Sequence, residues 1–369
     1  MQAFRLILPV LCFVVRIGII IWLMIPCGFQ KGDFMAQIGD IGIDLGTSNF
    51  VMYMKGRGIC LREPCVVAMD RGTGNLLAIG KEAQRMIGRT PSNITLIKPF
   101  ENGEIADFDI AGAMIRHFIG TATGKHLLAR PRAIIALPSG IKDLERKALI
   151  GVMFDAGVRR TQTVDKCVAA GLGAGLNFDG PFGAMIVDIS SAASDIAVLC
   201  NSQVAIGTSI RMGGDHFSDS IQRFIRRKYN LLIGENTLEE VKATLGSAVP
   251  RESDVSMDVT GRNLISGLPK TQSIVSTDIY EALKDDVSDL IEAIQIVIEK
   301  TPPQLASDIF DKGITMTGGG ACLYGLSEAI ESVLNIPCTV AHDARDCIAM
   351  GCARIVEDMG NSKKYLSVG

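Results

Sequence analysis

The chain predicts an α/β fold, and three observations carry that prediction. Short apolar strands alternate with amphipathic helical patterns along most of its length, which implies layers of helix on sheet. The strand Ile41-Gly-Ile-Asp-Leu45, with Asp44 near its end, is matched by Met185-Ile-Val-Asp-Ile189, with Asp188 at the same place. A third strand, Ile314-Thr-Met-Thr317, runs into Gly318, Gly319, Gly320 and Ala321.

Each segment has its own chemistry. The turn after the first strand is Gly46-Thr47-Ser48-Asn49. A turn at the carboxyl end of a covered strand exposes backbone N–H groups without sheet partners, and such groups attract anions. Gly46 permits close backbone approach, Thr47 and Ser48 add hydroxyl donors, and Asp44 is placed to hold a hydrated Mg²⁺ against phosphates. A tight hairpin turn that merely contains Gly and Thr is the other reading. The turn after the second strand, Ser190-Ser191-Ala192-Ala193-Ser194-Asp195, contains no glycine. The third strand precedes a helical pattern through Leu326, Ile330 and Val333, and helix N-termini attract phosphate.

Helical patterns fall at about 144–156, 217–229, 238–245 and 279–299, with Thr237 expected to cap the third ahead of Glu240. Helical spacing puts Glu239 and Lys242 on one face, suited either to a ribose or base edge or to an ordinary surface ion pair.

Composition narrows the class. The 369 residues are enough for two domains, with 47% hydrophobic and 21% charged side chains. A net charge of −3 gives no reason to expect a nucleic-acid partner, and Arg223, Arg226, Arg227 and Lys228 read as one solvated helix face. The ten cysteines contain no Cys-x-x-Cys pair and there are four histidines, so the thiols read as reduced and mostly buried, as in cytosol. Residues 6–25 are almost wholly apolar, broken by Pro9 and Arg16, and long enough to span a bilayer. Residues 1–35 are therefore either an anchor or an extended, misassigned start ahead of Met35; Arg16 near the bilayer centre would cost roughly 2.5–3.5 kcal/mol, which favours the second reading.

From about Asp40 to about Val356 the chain resembles the MreB branch of bacterial actins, within the superfamily of actin-like, sugar-kinase and DnaK-type ATPases. The strings that carry the resemblance are Glu63-Pro-Cys-Val-Val67, Met86-Ile-Gly-Arg-Thr-Pro91, Ile105-Ala-Asp-Phe-Asp109, Leu137-Pro-Ser-Gly140, Lys228-Tyr-Asn-Leu-Leu-Ile-Gly234, Gly267-Leu-Pro-Lys-Thr271 and Glu299-Lys-Thr-Pro-Pro303. The resemblance implies an actin-like ATPase fold of two related RNase H-like halves, each with a large and a small subdomain. The first half would be 36–180 with its small subdomain at 67–97. The second would be 181–341 with its small subdomain at 215–275, and 342–369 would return to the first half.

The resemblance also implies ATP with Mg²⁺. Asp44 and Asp188 would hold the metal through water, and Gly46, Thr47, Ser48, Asn49, Ser190, Ser191, Ala192, Gly214, Glu239, Lys242 and Gly318 to Ala321 would contact the nucleotide. Two departures fall where the chemistry sits. Three glycines of the family's second phosphate loop are replaced across Ser190 to Asp195, each at a cost on the order of 1 kcal/mol if the position needs positive φ. Lys166 falls on the family's water-activating Glu, in Val164-Asp165-Lys166-Cys167. An ammonium has no acceptor and cannot take a proton from water. Asp165 is a weak substitute base, and a site in which Lys166 binds the γ-phosphate while another group positions water is the compensating alternative.

The expected function is an actin-like cytoskeletal protein that binds ATP, forms membrane-associated filaments and serves cell shape and wall synthesis, with hydrolysis weak or lost. Alternatives are an active filament ATPase with a compensated site, a sugar-kinase-like phosphotransferase and an interaction protein with an empty pocket. Partners implied are a second copy of the chain, an intact paralogue, wall-synthesis and shape-complex membrane proteins and the inner face of the cell membrane, where the protein would lie peripherally. Leu127 and Leu128, flanked by Lys125 and Arg130, suit that surface.

Overall fold

The computed structural model describes residues 39–101, 104–124 and 130–367. The expected N-terminal extension and the Leu127–Leu128 pair lie outside these residues. Among the described residues no helix is long and apolar enough to cross a membrane.

The first half of the chain supplies β1 (Ile41–Leu45), β2 (Asn49–Met54), β3 (Gly58–Pro64), β4 (Val67–Asp70), β5 (Leu76–Ile79), β6 (Ile94–Ile97), β7 (Phe100–Glu101), β8 (Glu104–Ile105), β9 (Arg132–Leu137) and β10 (Arg160–Asp165). The second supplies β11 (Ala184–Ile189), β12 (Ser194–Cys200), β13 (Gln203–Ile210), β14 (Leu231–Leu232), β15 (Ser256–Asn263), β16 (Pro269–Val275), β17 (Ile314–Thr317) and β18 (Cys338–Val340). Helices are α1 (Lys81–Gln84), α2 (Phe108–Thr123), α3 (Asp143–Asp155), α4 (Lys166–Ala174), α5 (Gly214–Tyr229), α6 (Glu235–Leu245), α7 (Ser276–Lys300), α8 (Pro303–Lys312), α9 (Leu326–Leu334) and α10 (Cys347–Glu357).

The repeated strand in the sequence proves to be a repeated topology. One five-stranded sheet has the order β10-β9-β1-β2-β3 and the other β18-β17-β11-β12-β13. In each, the first strand pairs antiparallel with the next in sequence and parallel with a later one, β1 with β2 and β9, β11 with β12 and β17. β11 is buried along its whole length, as a central strand covered on both faces should be. β4, β5 and β6 form one small sheet, and β14, β15 and β16 another.

Two helices lie between the large sheets. α4 packs on β11 and β12, α10 packs on β1, β2 and β9, and the two helices pack on each other. Their crossing is close because Gly173 faces the backbone of Cys347 and Gly351 faces the backbone of Ala169; a Cβ at either glycine would collide with a carbonyl. One apolar cluster joins Ile134 of β9, Ile186 of β11, Val168 of α4 and Cys352 of α10. A larger one fills the space between the second sheet and α5 to α9.

Helix α6 corrects one expectation. It starts at Glu235 behind Gly234 with no side-chain cap, so Thr237 lies inside the first turn and caps nothing. After Gly318 and Gly319 comes a 3₁₀ turn, Gly320–Cys322, and α9 starts only at Leu326. The other helical patterns match α3, α5 and α7 to within three residues at either end.

Candidate functional site

The strand–Asp–turn repeats meet at one cavity of about 760 Å³. Asp44, Gly46, Ser48 and Asn49 from the β1–β2 connection, Asp188, Ser190 and Ser191 from the β11–β12 connection, and Gly318 to Gly320 after β17 all line it. Gly214, at the start of α5, and Glu239 and Lys242, on α6, complete the wall on the other side. Of the nucleotide-contact residues expected from sequence, Thr47, Ala192 and Ala321 do not line it. Ala321 is buried.

The two turns close in the same way despite their different composition. Gly46 N–H donates to the Asn49 carbonyl and Ser190 N–H donates to the Ala193 carbonyl, both at 3.0 Å. The first turn is thus a tight hairpin turn and also part of the cavity wall. Ser190, Ser191 and Ala192 all keep negative φ, so the missing glycines leave no backbone strain behind them. What the replacement adds is side chain: Ser190 Oγ donates to Asp188 Oδ2 at 2.7 Å and accepts from Lys166 Nζ at 2.7 Å. Gly318 does adopt φ +85°, packed against the Ile189 backbone.

Lys166 is the centre of the polar interior. It is the first residue of α4 and its side chain is 11% exposed. Its ammonium lies 3.1 Å from Asp188 Oδ2 and 3.2 Å from Asp195 Oδ2. Burial weakens the charged form, but Asp188, Asp195 and Asp44 outweigh it and hold Lys166 protonated, its pKa raised well above the ordinary lysine value. Asp188 is fully buried, and its other oxygen accepts from Thr317 Oγ1 at 2.9 Å. Asp44 has a different environment. Burial, opposed by Lys166 and reinforced by Asp188 and Asp346, pushes its carboxyl from 3.8 up to about 7.

Asp165 stands apart from this cavity. Its side chain caps α4 by accepting from Cys167 N–H at 2.8 Å and also accepts from the Ser139 hydroxyl. It faces a small separate space shared with Arg146 and Ser367. Burial raises its pKa, the Ser139 and Cys167 hydrogen bonds working against the shift.

Glu239 and Lys242 form the ion pair and also face the cavity. Lys242 Nζ donates to Glu239 Oε1 at 2.8 Å, to the Gly214 carbonyl at 2.9 Å and to Ser218 Oγ at 2.7 Å. Sequence reasoning missed Lys98, which follows β6 and reaches Glu235 at the start of α6 at 2.9 Å. It also missed Arg251, stacked 4.3 Å from the Tyr324 ring at the cavity wall. No local sequence pattern marks either pair, since each joins segments far apart in the chain.

The residues present do not suit a divalent metal at Asp188. Both carboxylate oxygens accept hydrogen bonds, and a dication about 5 Å from the Lys166 ammonium would be repelled by ~7 kcal/mol at an effective dielectric of 20. Among the described residues no three His, Cys, Asp or Glu side chains converge on one point. Eight described cysteines are free thiols, five of them buried.

The paired five-stranded sheets and the cavity at their turns define an actin-like fold. The crystal structure of MreB5 of Spiroplasma citri bound to AMPPNP matches the chain with a TM-score of 0.83 and 34% identity, covering 86% of this chain and 96% of that one. The model of the MreB/Mbl protein family matches residues 38–364. The cell shape-determining protein Mbl of Bacillus subtilis is 40% identical over 325 residues, 88% of this chain and 98% of the relative. The cell shape-determining protein MreB of Escherichia coli K12 is 38% identical over 323 residues, 86% and 93% of the two chains. The chain belongs to the MreB/Mbl family.

Proposed function

We propose that this chain is a nucleotide-binding cytoskeletal protein of cell-shape determination whose capacity for hydrolysis is weak or lost. The observation that carries the reading is the pairing of an intact cavity wall with Lys166 beneath it. Glycine and serine turns at the ends of two equivalent sheets, together with Gly214, Glu239 and Lys242, surround a space of the size a nucleotide needs. Neither Asp188 nor Asp165 is placed to act as base there: Asp188 is held by Lys166, Ser190 and Thr317, and Asp165 caps α4 away from the cavity. The MreB5 relative bound AMPPNP, and the Mbl and MreB relatives are named for determining cell shape.

In this reading, residues 36–180 and 181–341 act as two halves across which the nucleotide sets an angle that selects the polymerising form. The filament is built from copies of the chain and lies at the inner face of the cell membrane, with Leu127 and Leu128 inserted between lipid headgroups met by Lys125 and Arg130. An intact paralogue and wall-synthesis membrane proteins are its expected partners. The proposal is for the nucleotide itself; a metal beside Asp188 would have to displace Lys166.

Phosphate release and ATP binding by the full chain test this. A second chain for comparison carries Lys166→Glu together with Gly-Gly-Gly-Thr-Thr at 190–194. Binding without release by the parent, and release gained by the variant, is the expected result. Release by the parent at the rate of the variant would sink the assignment of a degenerate site.

A further inference from the structure

Nucleotide binding does not by itself explain why a lysine is kept in the interior under the cavity wall. The Lys166 ammonium has three protons and three acceptors around it, Ser190 Oγ at 2.7 Å, Asp188 Oδ2 at 3.1 Å and Asp195 Oδ2 at 3.2 Å. It can donate to a ligand only by giving up one of these three bonds, so it acts as a fixed charge and not as a movable donor. Ser190 and Asp188 stand between it and the cavity, since both line the cavity and both accept from the Lys166 ammonium.

Two carboxylates, Asp44 and Asp188, line the cavity, and behind them lie a third, Asp195, and one cation, Lys166. A phosphate chain entering such a place needs positive charge close by. In most nucleotide sites a divalent metal supplies it, held by carboxylates through water. Here one of the two carboxylates expected to hold the metal, Asp188, accepts hydrogen bonds on both oxygens, and the position beside it already carries an ammonium. Lysine and metal are alternatives, not companions, at this spacing.

We infer that Lys166 is a built-in cation that takes the place of the metal, so that the chain binds the phosphates of a nucleotide without a divalent ion. The inference rests on the nucleotide reading above. It gives the Ser190–Ser191 turn a role as well: Ser190 Oγ accepts from the ammonium and donates to Asp188, which ties the lysine to the turn that lines the cavity.

The experiment is AMPPNP binding to the full chain, by calorimetry, in excess Mg²⁺ and in excess EDTA. For the parent the two dissociation constants should agree within about threefold. Lys166→Glu lowers the local charge by two, the charge of one divalent ion, and should bind at least about tenfold more weakly in EDTA than in Mg²⁺. Lys166→Gln removes the cation without adding an anion, and circular dichroism identifies a variant that keeps the parent fold. A parent that binds only with Mg²⁺ overturns the inference and leaves the nucleotide reading standing. Binding in neither condition overturns both. A folded Lys166→Gln chain as indifferent to EDTA as the parent would show that the charge comes from elsewhere.

Discussion

Lys166 and Asp188 make an ion pair of 3.1 Å between the two large sheets: Lys166 directly follows β10 of the first, and Asp188 belongs to β11 of the second. The pair is buried, so its worth shows on removal of one partner. Lys166→Met leaves Asp188 and Asp195 without a counter-charge and should destabilise the chain by about 3–5 kcal/mol. Urea denaturation measures this, and Asp195→Asn in the Met variant should restore part of it.

Asp44 gives the fold a pH dependence of known sign. Its folded pKa is about 7 against an ordinary 3.8, so the folded chain holds the proton more tightly and stability is lost as pH rises from 4 towards 7. Asp44→Asn removes this penalty. The ligand-free variant should differ little from the parent at pH 4 and exceed it at pH 8 by at most ~4 kcal/mol. An equal melting-temperature difference at both pH values would contradict the assignment.

The 190–192 turn should resist the glycines it lacks. Because Ser190, Ser191 and Ala192 hold negative φ, glycine gains no strain relief there and only enlarges the unfolded ensemble. Ser190 also loses its bonds to Asp188 and Lys166. The triple glycine variant should lose roughly 2 kcal/mol of stability, read as a lower urea midpoint at unchanged slope.

Gly318 is the opposite case. At φ +85° and against the Ile189 carbonyl, an alanine is both strained and blocked. Gly318→Ala should cost more than ~2 kcal/mol and weaken AMPPNP binding, whereas Gly319→Ala, whose Cβ would meet nothing within 4 Å, should leave stability nearly unchanged.

The proposed membrane association rests on two leucines. Leu127→Asp with Leu128→Asp should abolish co-sedimentation of the full chain with anionic vesicles while leaving its melting temperature within a degree or so of the parent. Retained co-sedimentation would point to residues 1–35 as the attachment.

Much of this site was legible because its signals are local. An apolar strand, an aspartate and a turn occupy nine consecutive residues at Ile41 to Asn49, and the same order recurs at Met185 to Asp195. The lysine was legible as an anomaly but not as an ion pair, because Asp195 lies on the neighbouring strand and meets it only through the β11–β12 register that sets Asp188 opposite Asp195. The capping role of Asp165 has a readable signal, an Asp three residues ahead of the apolar run Val168 to Leu172. Thr237 was misplaced because Gly234 and Glu235 extend α6 backwards, and a helix start is the least fixed part of any periodic pattern.

The crossing of Gly173 and Gly351 has a mechanical meaning. Where backbone touches backbone there are no side chains to change rotamer, so α4 and α10 have no alternative packing to slip into. The close approach is made twice, at Gly173 with Cys347 and at Gly351 with Ala169, one helical turn apart, so the pair resists tilting as well as sliding, as two rods do when bolted at two places. Lys166 sits at one end of the first rod, under the cavity, while the second rod lies on β1. The helix that carries the lysine is therefore locked to the one lying on β1, and the charge under the cavity keeps a fixed distance from the sheet that carries Asp44.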